Sequence, residues 1–222
     1  MAIPLRDINP TWSFPIVTKS LVFINIAVFI YQLVAPQIAL RYAFIPALAF
    51  IETYRWLTHM FLHGGVIHLV GNMIYLWVFG DNVEDRYGHL RFLALYLTWG
   101  IAAAFAHLLS ISAQPAAREM WLTPALGASG AISGVLGAYL VLFPRARIQT
   151  LVFFFIITII EIPAWAYIGF WFLFQLYYGV AELLTVQPSG VAYFAHIGGF
   201  IAGALTALVF RGRRRHFYYY KI

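Results

Sequence analysis

The sequence predicts an all-α fold, a polytopic membrane helix bundle of six transmembrane helices. Of the 222 residues, 63% are hydrophobic and only 10% are charged, and the mean hydropathy is +0.81. Several apolar runs exceed the ~18 residues that mark a membrane-spanning segment. The alternating ten-residue pattern of an outer-membrane barrel is absent. We expect residues 1–222 to form a single membrane-embedded domain.

The apolar runs give the order of the predicted elements. The first outer loop, 37–58, is interrupted by charges and by Pro46, which is typical of short interfacial helices. Residues 80–89 are expected to be a polar turn. The run 148–184 is too short for two spans and a turn, since two spans alone need about 40 residues. We therefore expect 148–160 to be half-inserted or interfacial. The six spans are predicted at 20–34, 68–79, 92–110, 127–143, 163–182 and 193–210.

Basic residues divide unequally between the two sides of such a bundle. Six spans place both termini on one side, and eleven of the 14 Lys and Arg residues fall there. The positive-inside rule therefore predicts cytoplasmic termini, and we expect a bacterial or archaeal cell membrane. The basic tail, 211–215, is expected to lie against anionic lipid. The net charge of +6 is spread over short loops, so we expect no nucleic-acid partner.

A glycine-rich stretch opens the fourth span. Glycine costs a helix roughly 1 kcal/mol relative to alanine, but in a membrane it lets a second helix approach closely. The Gly130-x-x-x-Gly134 spacing clears one side of this helix, and Ser129 lies at its N-terminus. That position suits a nucleophile. The alternative is that Ser129 and Ser133 are small packing residues, which are common at helix interfaces in membranes.

The sixth span carries a second small-residue face. It begins near His196, and Gly199-x-x-x-Gly203 follows. Both glycine-rich helices run inward from the outer side. Packing of the two faces would bring Ser129 and His196 within hydrogen-bond reach, which is the nucleophile–base pair of acyl transfer.

Other polar side chains lie in or near the second span, where they are expensive and therefore candidates for function. His68 and Asn72 are four residues apart and share one helix face. His59 and His63 repeat that spacing upstream, and we interpret them as stabilising the loop. The His-Glu-x-x-His spacing of zinc hydrolases is absent, and the chain has no cysteine. We expect no metal and no other cofactor.

Three motifs taken together resemble the rhomboid family of intramembrane serine proteases. They are Gly127-Ala128-Ser129-Gly130, Ala195-His196-Ile197-Gly198-Gly199 and His68-x-x-x-Asn72. Tyr54-Arg55 and Glu84-x-Arg86 are also similar to family positions, while Ser133 stands where some members carry an aromatic ring against the histidine.

The resemblance implies a function and a site. Ser129 is the implied nucleophile and His196 the implied general base, while His68 and Asn72 line the oxyanion site. We place Gly127, at the start of the serine motif, with this group. The implied substrate is the transmembrane segment of another protein, cut near its outer end, so membrane proteins and the lipid bilayer are the expected partners. No aspartate is positioned as a third member, and we expect a Ser-His dyad.

Two other functions stay open at this point. A catalytically silent member of the same fold would bind membrane proteins for trafficking or degradation, and loss of the serine or histidine would mark it. A small transporter would use the same polar residues as a pathway, and inverted repeats would support that reading. We find no such repeats. The sequence does not indicate an oligomeric state.

Overall fold

The computed structural model of the protein describes residues 2–114, 118–153, 157–185 and 190–210. Most of this part of the chain is helical, which confirms the predicted helix bundle. The helices are α1 (Ile16–Val34), α2 (Gln37–Tyr42), α3 (Arg55–Thr58), α4 (Val66–Tyr87), α5 (His89–Ser112), α6 (Ser129–Leu142), α7 (Ala164–Thr185) and α8 (Tyr193–Val209). Short 3-10 turns lie at Pro46–Leu48, His59–Phe61 and Arg118–Trp121. The strands are β1 (Ala2–Ile8), β2 (Arg147–Phe153) and β3 (Ile157–Pro163).

The number of membrane crossings follows from helix length and hydropathy. Within the described ranges, α1, α5 and α7 are long and apolar enough to span a bilayer. The segment Arg55–Phe61 and α4 form a pair bent by 95° that gives a fourth candidate, while α6 and α8 are shorter apolar helices. The count of six spans therefore stays a prediction.

Helices α6 and α8 approach each other closely through their glycines. A Cβ atom on Gly199 would overlap the carbonyl oxygen of Gly130, and one on Gly203 would overlap that of Gly134. The two predicted glycine faces therefore do pack against each other, backbone to backbone. This contact aligns the N-terminal ends of α6 and α8 side by side.

The predicted polar turn at 80–89 is wrong, because α4 continues to Tyr87 and only Gly88 turns the chain, with φ +80°. The polar side chains of this stretch find protein partners instead of water. The buried carboxylate of Glu84 accepts hydrogen bonds from the backbone N–H groups of Val17 (2.9 Å) and Thr18 (2.7 Å), and from the Thr18 hydroxyl (2.7 Å). It thereby caps the N-terminus of α1.

A small antiparallel sheet was not predicted. Its strand order is β1-β2-β3, with Ile3 opposite Leu151 and Thr150 opposite Ile160. The segment 148–160, expected to be half-inserted or interfacial, supplies most of the β2–β3 hairpin, of which 154–156 lie outside the described residues.

The remaining expectations fall close to the observed elements. The first span starts earlier than predicted, at Ile16, and Pro163 is the last residue of β3 instead of the first turn of α7. Short helices in 37–58 are confirmed. The basic tail at 211–215 and residues 186–189 of the last outer loop lie outside the described part of the chain.

Candidate active site

A serine and a histidine from different helices lie within hydrogen-bond distance. Ser129 is the first residue of α6, and His196 lies in the first turn of α8. The Oγ of Ser129 is 2.8 Å from the Nε2 of His196. The glycine contact between the two helices holds this pair together, as the sequence predicts.

Both side chains face a cavity of about 390 Å³. Its wall is mostly apolar, with a few polar side chains from α4, α6 and α8, and the outer-loop segment Gly190–Ala192 forms part of its rim. The lining residues that matter below are His68, Asn72, Ser129, Ser133, Trp171 and His196. The site is therefore a pocket with convergent polar groups, as is usual for ligand-binding sites.

Asn72 provides a free donor in this cavity. Its side chain is 8% exposed, and its Nδ2 has no hydrogen-bond partner among the described residues. Buried amide donors are normally paired. An unpaired amide that lines the same cavity as Ser129 is therefore available to a charged oxygen of a bound molecule.

His68 lies over the backbone that leads into Ser129. Gly127 has φ +133°, and a Cβ atom there would be 2.8 Å from the Nε2 of His68. Only glycine fits this position, because both the conformation and the space exclude a side chain. The backbone N–H of Gly64 donates to the Nδ1 of His68 at 3.4 Å. This contact makes Nδ1 the acceptor, so Nε2 carries the proton and is a donor.

The upstream histidines have structural contacts. The Nδ1 of His59 donates to the carbonyl of Arg55 at 2.8 Å. The backbone N–H of His63 donates to the side-chain oxygen of Gln32 at 2.9 Å, which ties the loop to α1. The buried Arg55 donates to the carbonyls of Leu40 and Ala43. These contacts brace the first outer loop, in line with the stabilising role expected of His59. His63 contributes through its backbone, since both of its ring nitrogens are buried without a partner among the described residues.

Ser133, the other serine of the glycine-rich stretch, bonds to the backbone of its own helix. Its Oγ donates to the backbone carbonyl of Ser129 at 2.6 Å, and the residue is 1% exposed. A serine in a helix often bonds back to the carbonyl four residues earlier. Its hydroxyl is therefore already satisfied within α6.

Sequence reasoning missed two residues on α7. The Oε1 of Gln175 lies 2.8 Å from the Nδ1 of His196. One turn earlier, the ring of Trp171 lies 6.2 Å from the His196 ring, which supplies an aromatic neighbour from another helix than the one expected. A signal for Gln175 was present, since it is the one amide or charged residue in the run 164–181 and polar groups inside spans are functional candidates.

Comparisons with known proteins agree with the motifs. The Rhomboid domain family model matches residues 51–213. The chain is 30% identical over 213 residues to Rhomboid protease AarA from Providencia stuartii, covering 87% of this chain and 72% of that protein. It is 37% identical over 158 residues to Rhomboid protease GluP from Bacillus subtilis, covering 70% of this chain and 26% of GluP.

A mitochondrial relative extends the comparison beyond bacteria. The chain is 34% identical over 145 residues to Rhomboid protein 1 from Saccharomyces cerevisiae, covering 65% of this chain and 38% of that protein. The chain thus spans well under half the length of the yeast and Bacillus relatives. The family match nevertheless includes α3 to α8 and every residue of the candidate site. The chain belongs to the rhomboid family and is an integral membrane protein.

Proposed function

We propose that this protein is an intramembrane serine protease that cleaves transmembrane segments of other membrane proteins near their outer end. The observation that carries the proposal is the 2.8 Å contact between the Oγ of Ser129 and the Nε2 of His196. The matching relatives named as rhomboid proteases support the same activity.

The chemistry is acyl transfer by a Ser-His dyad. His196 takes the proton from Ser129 as the Oγ attacks the carbonyl carbon of the scissile peptide bond. The protonated His196 then gives this proton to the leaving amine. Water attacks the acyl-enzyme in the second half of the reaction, and His196 acts as base again.

In this mechanism three donors would meet the developing oxyanion. The first N–H groups of a helix have no partner within the helix, and Ser129 is the first residue of α6. The Nδ2 of Asn72 is unpaired among the described residues, and the Nε2 of His68 lies beside Gly127. Preorganised donors of this kind act most strongly on charge that forms in the transition state.

The length of α6 supports a nucleophile that lies inside the membrane. With 14 residues, the helix is about 21 Å long, against a hydrocarbon core of about 30 Å. If its C-terminal end reaches one face of the core, Ser129 lies about 9 Å below the other face. Water would then have to reach Ser129 through the cavity. Irregular backbone at this depth is tolerated where it lines such a water-filled space.

The orientation follows from the distribution of basic residues. Both termini are placed in the cytoplasm, and Ser129 then lies near the outer face of a cell membrane. Reporter fusions after residue 215 should report a cytoplasmic location, whereas fusions within 111–125 should report an external one. A C-terminus on the outer side would contradict the orientation and the number of spans.

The function is tested on the full chain reconstituted in liposomes with a membrane-anchored reporter. Wild-type protein should cleave the reporter and should react with a fluorophosphonate probe at Ser129. Ser129→Ala and His196→Ala should each abolish cleavage while the protein stays folded, because members of such a unit fail together. A folded wild-type protein that neither cleaves nor reacts would favour the catalytically silent alternative.

A further inference from the structure

Gln175 joins the catalytic pair to α7. Its Oε1 lies 2.8 Å from the Nδ1 of His196, and the Nε2 on the other side of that ring lies 2.8 Å from the Oγ of Ser129. The imidazole therefore has a partner on each nitrogen. These partners come from two different helices, α7 and α6.

The two contacts are consistent with one arrangement of protons. A neutral imidazole carries a proton on one nitrogen and a lone pair on the other. To accept the Ser129 proton, Nε2 must hold the lone pair, so Nδ1 must carry the proton and donate it. The carbonyl oxygen of Gln175 is the acceptor that this arrangement requires, whereas its NH₂ group would favour the tautomer that cannot act as base.

Contacts on both sides of Gln175 set its register against α8. Phe172 stacks on Phe200 with ring centroids 4.1 Å apart, and Tyr178 stacks on Tyr193 at 5.6 Å. Elsewhere α7 is exposed or half-buried, apart from four buried residues. The surface of α7 that contacts α8 thus carries Gln175 at the height of His196.

We infer that Gln175 is a positioning residue for the proposed dyad: its side-chain carbonyl holds His196 in the tautomer and orientation that accept the Ser129 proton. The inference rests on the proposed function. A third group that orients the base is a recurring feature of nucleophile–base pairs. An amide performs this task here without adding a charge to the apolar surroundings, where an ionised carboxylate is expensive.

Three variants separate this role from packing. Gln175→Met keeps the length of the side chain and removes the acceptor, while Gln175→Glu keeps an acceptor at nearly the same place. Leu173→Met is the matched control, because Leu173 lies two residues earlier in α7 and is 60% exposed. Each variant is measured as full-length protein in liposomes for kcat and KM on the reporter.

The positioning role predicts a particular pattern of rates. Gln175→Met should lower kcat by about 10- to 100-fold, a part of the usual gain from general base catalysis, with KM unchanged. Gln175→Glu should stay within several-fold of wild type, and Leu173→Met should have the wild-type kcat. Wild-type kcat in Gln175→Met, or equal losses in the Met and Glu variants, would overturn the inference.

A spectroscopic readout on the wild-type protein does not depend on any variant. The ¹⁵N chemical shifts of His196 should report a proton on Nδ1, and a proton on Nε2 instead would reject the role of Gln175. The two proposals fail in different ways. Activity in Ser129→Ala would reject the dyad, whereas a fully active Gln175→Met beside an inactive Ser129→Ala would reject the positioning role alone.

Discussion

Two groups of buried and half-buried polar side chains lie at opposite ends of α6. At the C-terminal end, the Oδ2 of Asp7 in β1 accepts hydrogen bonds from the hydroxyl of Tyr139 (2.6 Å) and the Nδ2 of Asn82 (2.7 Å). At the N-terminal end, Ser129 meets His196, and Asn72 keeps an unpaired amide. The groups around Asp7 join strands and helices, although the Nδ2 of Asn9, just after β1, is also unpaired among the described residues. The unpaired donor of Asn72 differs because it lines the cavity that holds Ser129 and His196.

The two ends of α6 differ in how the free-energy cost of burying polar groups is offset. Burying a polar group costs free energy unless it is hydrogen-bonded. At the end of α6 that faces the sheet, this cost is offset for Asp7 and Glu84 by contacts within the fold, such as the three hydrogen bonds that Glu84 accepts from the start of α1. At the catalytic end it is not offset for Asn72. Variants at the two ends should therefore affect different properties, stability at one and turnover at the other.

The largest difference in effect on kcat is expected between alanine variants of Asn72 and Asn82. Asn72→Ala should lower kcat by roughly 100- to 1000-fold, or about 2.7–4 kcal/mol, if its amide meets the oxyanion. Its stability should change little, because that amide has no partner among the described residues to lose. His68→Ala should cost the same or less.

Asn82→Ala is the control for this pair. It removes a donor to Asp7, so it should lower the thermal midpoint of the detergent-solubilised protein while kcat per folded molecule stays near wild type. A wild-type rate in Asn72→Ala would remove Asn72 from the site. Equal effects of both variants on kcat would remove the distinction between the two ends.

Glu84 tests the paired end directly. Glu84→Gln puts an NH₂ group where one of the accepting oxygens stands, so at least one donor at the start of α1 loses its partner. An unsatisfied buried donor costs about 1–3 kcal/mol, which should appear as a lower midpoint in an unfolding experiment. Glu119→Gln, at an exposed residue, is the matched control. An unchanged midpoint in Glu84→Gln would show that the cap of α1 by Glu84 contributes nothing to stability.

The pH dependence of stability should report the protonation of Asp7. Burial, opposed by the hydrogen bond from Tyr139 and reinforced by nearby Asp81, raises the pKa of Asp7 from 3.8 to about 7. The folded state therefore holds this proton more tightly than the unfolded chain does. The resulting stability is fully present below about pH 4 and is lost as pH rises through 7, with a slope of at most about 1.4 kcal/mol per pH unit.

Asp7→Asn removes this titration and keeps an acceptor for the hydroxyl of Tyr139. The unfolding midpoint of the wild type should fall between pH 4.5 and pH 7.5 by more than that of the variant. The difference between the two curves isolates Asp7 from the other titrating groups. Parallel curves would mean that Asp7 is ionised in the folded protein throughout this range.

Part of the catalytic site could be predicted because glycine spacing is a local signal with a long-range consequence. The faces at Gly130 and Gly199 lie 69 residues apart in the sequence, yet each one shows where a second helix comes close. The contact between Ser129 and His196 follows from that packing. Gln175 could not be placed in the same way, because its partner depends on how α7 is rotated, and no glycine face fixes that rotation in the sequence.

The sheet and the end of α4 escaped prediction for different reasons. The strands β2 and β3 are short apolar runs, which periodicity alone cannot separate from helix, and the partner of β2 is the distant strand β1. Residues 81–86 are polar and resemble a loop, but Asn82 and Glu84 bind β1 and α1. Both features depend on contacts between distant parts of the chain, which local patterns do not contain.

The smallest effect is expected at Ser133, although it is the second hydroxyl of the glycine-rich stretch. It follows Ser129 by one turn and lies about 6 Å deeper along the helix. Its Oγ donates to the carbonyl of Ser129, which also has the ordinary helical N–H of Ser133 as a donor. Alanine at position 133 therefore leaves that carbonyl paired. It also leaves intact both hydrogen bonds of His196, to Ser129 and to Gln175.

Ser133→Ala should thus keep kcat within about threefold of wild type, since backbone bonding by a helical serine is worth little and slightly bends the helix. Fluorophosphonate labelling should stay on Ser129 in this variant. Because both serines lie on α6, the two alanine variants form a matched pair that differs only in which hydroxyl is lost. An inactive Ser133→Ala beside an active Ser129→Ala would transfer the nucleophile to Ser133. The His196 ring, which lies 2.8 Å from the Ser129 hydroxyl, would then need a different partner during catalysis.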